Sequence, residues 1–279
     1  MRTQLLRASL LLGLLGLGLF ACDTPDPDTS FDPVRVGQLV LTFDNVVGDQ
    51  DLQLGSATYR NGSGESFTPT TFNYYVSNLK LTRSDGSQYV VPPDSSYFLI
   101  RENVPASQRI TLSGVPSGQY KAVQFVIGVD SLRSTMDISR RTGVLDPGGD
   151  QANASGMYWS WNSGYIFLKL EGESPSAPVN ATGLRQFQYH IGLYGGRQTP
   201  TLNNLKTVQI AFGNDRATVG AGTLPMVNLR TDVLKIFDGT TAVSIAAHPD
   251  VMISDYSKVI ADNYAQMIQY KNITNSAAK

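Results

Sequence analysis

Both tryptophans of this chain fall in one glycine-bracketed segment, GMYWSWNSGY (156–165), where Trp159 and Trp161 are separated by a single residue. On an extended strand, positions i and i+2 share a face. The two indoles would then form one aromatic surface, with Tyr158 and Asn162 on the other side. Three uses suit such a surface: core packing, a platform for a sugar or protein partner, or the wall of a metal or redox site. The histidines are equally scarce, His190 and His248 being the only two. In FQYHIG (187–192), alternation puts Gln188, His190 and Gly192 on a polar face and Phe187, Tyr189 and Ile191 on the core face. An imidazole there is either solvated or a ligand. His248, followed by Pro249 and Asp250, falls in a loop before a helix, where it suits a cap, a turn or a ligand. Imidazoles together with thioethers (Met157, Met252, Met267) are soft and borderline donors. That mixture suits copper better than magnesium or calcium, whereas zinc more often takes a third His or a Cys.

Other chemistry has little to work with. The chain has no Gly-x-Ser-x-Gly elbow, His-Glu-x-x-His, phosphate-binding loop or dinucleotide fingerprint, so a binding protein rather than an enzyme is expected. Asp130, Asp137, Asp146 and Asp150 raise the idea of calcium, but without EF-hand spacing they read as solvated loop acids. Cys22 is the only cysteine, which excludes an intramolecular disulfide and any multi-cysteine metal site.

Cys22 has a use of its own. Residues 1–21 begin with Arg2 and Arg7, continue as an apolar run too short for a comfortable membrane span, and end in Leu-Phe-Ala before the cysteine. This is a secretion leader with a lipobox, and it predicts lipid attachment at Cys22. The protein is expected outside the cytoplasm, anchored in the periplasm or at the outer membrane through acyl chains rather than spanning the bilayer. Residues 22–34, acidic and proline-rich, read as a solvated tether. Losing Arg2 and Arg7 with the leader takes Lys+Arg from 22 to 20 against 23 Asp+Glu, a net charge near −3. Nothing in that balance recruits nucleic acid.

The elements that must position these residues are mostly strands. Short β-type runs separated by turn residues occupy 36–43, 72–81, 88–91, 97–100, 109–112, 119–127, 165–171, 184–191, 206–212, 226–229 and 233–237. Residues 128–156 read as loop. One helix is expected over 255–270, where Val259, Ile260, Tyr264, Met267 and Ile268 recur at 3–4 spacing and Asp255 is placed to cap. The expectation is a single all-β domain over 35–270, mainly antiparallel, a β-sandwich or open barrel with a C-terminal helix. A polar tail, 271–279, follows it.

Several segments resemble the MbnP-like domain, a bacterial family of periplasmic or lipid-anchored copper-binding proteins. They are FNYYVSNLKL (72–81), VIGVD (126–130), GMYWSWNSGY (156–165), FQYHIG (187–192) and IADNYAQM (260–267), and the tryptophan segment is the most specific. The resemblance runs over about 35–270. It implies a copper cofactor, with His190 as the best ligand candidate and His248 second. It also implies a partner, a MauG-like di-haem peroxidase that converts a tryptophan of the copper protein to kynurenine, which makes Trp159 or Trp161 the expected target. The chain lacks the cysteine pairs of the four-cysteine branch. Two functions follow as expectations: extracytoplasmic copper acquisition or handling, or a non-metal ligand-binding or adhesion lipoprotein that uses the tryptophans as an aromatic platform.

Overall fold

The computed structural model describes residues 35–148, 156–160 and 162–277. The leader, the tether, Cys22, Asp150 and Trp161 lie outside the described residues. The chain runs through β1 (Val36–Val47), β2 (Gln50–Asp51), β3 (Tyr59–Arg60), β4 (Ser66–Arg83), β5 (Gln88–Val90), β6 (Tyr97–Arg101), β7 (Arg109–Pro116) and β8 (Gly118–Ile127). After α1 (Ser131–Thr135) come β9 (Tyr158–Ser160), β10 (Gly164–Glu173), β11 (Gln186–Gly192), β12 (Lys206–Ala211), β13 (Ala217–Val219) and β14 (Thr223–Asp232). Then follow α2 (Leu234–Phe237), β15 (Asp250–Val251), α3 (Ser257–Tyr264) and β16 (Ile268–Ala277).

These strands form two curled sheets, mainly antiparallel, with a helix near the C-terminus, as expected. The smaller sheet runs β16–β14–β1, and β2 and β7 both pair with the far edge of β1. The larger runs β12–β8–β4–β10–β11–β15. Two pairings are parallel, β1 with β14 and β11 with β15.

Between the sheets lies the main core, to which β4 contributes Phe72, Tyr74 and Val76 and β11 contributes Phe187, Tyr189 and Ile191. The residue between Tyr74 and Val76 on β4 faces the other way. Tyr75 joins Tyr165, Phe167, Met157 and Tyr194 in a second cluster on the outer face of the larger sheet. That sheet is therefore buried on both faces over β4 and β10, and a strand covered on both sides loses its polar alternation. This is why FNYYV and YIFL read as continuous apolar runs.

Three local readings are corrected. Residues 233–237, expected as a strand, contain the short helix α2. Ile236 and Phe237 are adjacent and both fully buried, which a strand with one open face cannot provide, and the Asp232 carboxylate accepts from the Leu234 N–H at 3.1 Å to start the turn. The terminal helix is shorter than 255–270, and the Asp255 side chain does not cap it. From Ile268 the chain becomes β16, pairing with β14 as far as Ala277, so much of the expected polar tail is an edge strand. The 3–4 spacing of Met267 and Ile268 with Tyr264 was a continuation of the pattern across a turn.

Candidate functional site

The outward face of β10 and β11 carries the chemistry. Antiparallel register sets Lys169 opposite His190 and Glu171 opposite Gln188. Across that diagonal, His190 Nε2 and Glu171 Oε1 are 2.7 Å apart, and Lys169 Nζ lies 3.3 Å from the same oxygen. The His190 side chain is only 12 % exposed, so it is not the solvated residue its polar strand face allowed. The hydrogen bond from His190 holds the Glu171 carboxyl down at about 2, against the opposing effect of burial, with Thr71 on β4 and the Lys169 charge adding to it. An ionised carboxylate only accepts. The proton therefore sits on His190 Nε2, and in the neutral ring Nδ1 keeps its lone pair.

The tryptophan segment meets this cluster. β9 turns back onto β10, pairing Ser160 with Gly164 and Tyr158 with Tyr165. Strand geometry ends at Ser160. Asn162 lies in the turn, and its Oδ1 accepts from the backbone N–H groups of Arg197, Gln198 and Thr199 at 3.0–3.2 Å. Trp159 is half-buried against the outer cluster, and its six-membered ring lies over Gly192. A Cβ at position 192 would stand 2.7 Å from Trp159 Cζ3 and 2.4 Å from the Tyr165 carbonyl oxygen, so only glycine fits. His190 and Gly192 are i and i+2 on one strand, roughly 7 Å apart, which makes Trp159 and His190 neighbours on one face. At the start of the segment, a Cβ on Gly156 (φ +59°) would lie 3.2 Å from Lys169 Nζ, placing the ammonium against that backbone.

The other expected donors are dispersed. Met157 is fully buried in the outer cluster and Met267 in the main core. Met252 follows β15 at the edge of β11 and is half-buried. His248 lies in the turn before β15, its N–H bonded to the Ser244 carbonyl at 2.9 Å. The His248 ring is stacked on Tyr256, centroids 3.5 Å apart and planes at 17°. The described loop aspartates serve local structure. Asp130 and Asp137 accept from the Arg133 and Ser139 N–H groups, and Asp146 from that of Gly148.

Among the described residues, no group of three or more His, Cys, Asp or Glu side chains is placed to hold a metal. His190 fits a copper ion as one ligand, through Nδ1. Glu171 fits the orienting partner that metal-bound imidazoles usually have on their second nitrogen. Glu171 is a poor direct ligand, because the Lys169 ammonium beside it repels a further cation. A complete ligand set is not present among the described residues.

A family model described as MbnP matches residues 36–253. The chain belongs to the MbnP family. Its fold is similar to that of MbnP from Methylosinus trichosporium, at 14% sequence identity and a TM-score of 0.54, covering 88% of this chain and all of that one. A putative cell adhesion protein from Bacteroides eggerthii is 9% identical with a TM-score of 0.18, over 89% of this chain and 98% of that one, too low to carry a shared fold. No curated protein matches the sequence. Within this MbnP-family fold, sequence reasoning missed Glu171 and Lys169. The signal was an acid and a base alternating with apolar residues on the strand that precedes the His190 strand. Gly192 as the seat of the indole gave no signal beyond being a glycine.

Proposed function

We propose that this MbnP-family protein is an extracytoplasmic lipoprotein, anchored through Cys22, that handles copper with His190 as its own ligand and the tryptophan segment as the wall of the site. The observation that carries this reading is the commitment of His190 Nε2 to an ionised Glu171, which leaves Nδ1 of the neutral ring as a σ-donor on the strand whose Gly192 seats Trp159. When bound, copper supplies a soft, redox-active centre. The chain's own part is to hold one imidazole in one tautomer and to seat an indole on the same strand, over Gly192. A site with one strong ligand of its own suits a metal that is taken up and passed on. In this reading the protein is not an enzyme. A MauG-like di-haem peroxidase is its partner, and Trp159 or Trp161 is the residue oxidised to kynurenine; the indole of Trp159 is partly exposed, as an external oxidant requires. His248, whose ring is stacked on Tyr256, is left out of the ligand set in this reading.

Chelator-competition titration of the lipid-free domain with Cu(I) tests the ligand. His190→Ala is expected to lose at least tenfold in affinity, and His248→Ala to stay within twofold; equal affinity in wild type and His190→Ala would remove His190. Peptide mass spectrometry of the 156–165 segment, with and without the co-expressed di-haem partner, tests the modification. Failure of Cys22→Ser to partition with membranes tests the anchor.

A further inference from the structure

A cleft of about 490 Å³ opens beside β6, at the stretch that follows α1. Small-molecule sites run roughly 300–1,000 Å³, so its size is sufficient. Its lining includes Asp94, Tyr97, Arg133, Arg140 and Thr142. Arg133 is the unusual member. Its side chain is 9 % exposed, its guanidinium lies over the Tyr97 ring at 5.1 Å from the centroid, and Nη1 reaches Met136 Sδ at 3.4 Å. Among the described residues its carboxylate ion-pair partner is Asp94, bonded through Nη2, and the Asp94 side chain is 90 % exposed. Nε, which shares with Nη2 the side-on edge of the guanidinium, is buried without a hydrogen-bond partner.

A buried guanidinium whose Nε–H is left without a partner is expensive. Asp94 uses one of two parallel donors that together match a carboxylate or phosphate in bidentate fashion. The other acids near the cleft are already engaged. Asp130 takes hydrogen bonds from Asn78, Tyr97 and the Arg133 N–H, and Asp137 takes those of Ser139. Arg140 is exposed at the rim, close enough to draw the Asp94 carboxyl below its ordinary range, an effect led by the hydrogen bond from Arg133. A second cation therefore faces whatever pairs with the first.

We propose that this cleft binds a small oxyanion-bearing ligand, a carboxylate or a phosphate, which displaces Asp94 from Arg133, takes the Nε–Nη2 edge, and is clamped from the rim by Arg140. Asp94 is then an exchangeable internal counter-ion that fills the site when no ligand is there. This site is separate from the copper reading and does not depend on it.

Calorimetric titration and thermal shift of the lipid-free domain, with succinate in one arm and inorganic phosphate in the other at matched ionic strength, test it. Chloride serves as the control. The expected result is saturable binding of at least one oxyanion, weakened at least fivefold by Arg140→Gln, an exposed change that leaves the fold intact. Asp94→Asn should have the opposite sign: a lower starting Tm, restored by the oxyanion through a larger shift than wild type shows, and tighter binding. No saturable binding in either arm would overturn the proposal, as would Asp94→Asn weakening binding as much as Arg140→Gln.

Discussion

Replacing Glu171 with Gln keeps the shape of the side chain and removes its charge, which makes it the sharpest perturbation of the His190 face. A carboxyl whose ordinary value near 4.5 is drawn down to about 2 gains at most about 3 kcal/mol of folding stability. The side chain is a quarter exposed, and solvent screening brings the figure to roughly 1–2 kcal/mol. The sign follows from the depressed value. The stabilisation is fully present above pH 4.5 and is lost as pH falls from there toward 2. Urea denaturation of wild type and Glu171→Gln at intervals from pH 7 to pH 3 should show a gap of roughly 1–2 kcal/mol at neutral pH that narrows through the acid range. Because both proteins carry the same remaining carboxylates, general acid destabilisation cancels in the difference. A gap that stays constant down to pH 3, or no gap at pH 7, would refute the reasoning.

Other consequences concern the seat of the indole. Gly192→Ala forces a Cβ against the immovable Tyr165 carbonyl and the Trp159 ring; it should cost about 1–3 kcal/mol by denaturation and shift the tryptophan emission. Asn204 is fully buried and donates to the Gly192 carbonyl at 2.8 Å and to Ser257 Oγ at 2.9 Å, tying β11 to α3. Asn204→Ala removes both buried hydrogen bonds, at about 1–3 kcal/mol, and hydrogen exchange should accelerate in both elements; protection equal to wild type would show that the tie is unimportant.

The legible part of this protein was its strands and their inward faces. Phe187, Tyr189 and Ile191 point into the core as their alternation predicted, because β11 has one apolar and one polar face. Over β4 and β10 the pattern was less informative, since both faces are covered and hydrophobicity alone does not say which side Tyr75 takes. α2 and β16 were misread for a related reason. A five-residue apolar stretch fits a buried turn of helix or a strand equally well, and only the partners, Val46 for Val233 and β14 for β16, decide between them. At the site, His190 and the tryptophans were conspicuous through rarity. The residues that control them, Glu171, Lys169 and Gly192, are common types whose roles come from register, and register is a tertiary property.

The chain's two histidines make the central claim measurable in one experiment. Long-range ¹H–¹⁵N correlation of the imidazoles, before and after one equivalent of Cu(I), reads the tautomer and the ligating nitrogen together. His190 is expected as the Nε2–H tautomer, its Nδ1 signal moving on copper addition while both nitrogens of His248 stay in place. An Nδ1–H tautomer for His190, or copper shifts confined to His248, would contradict it.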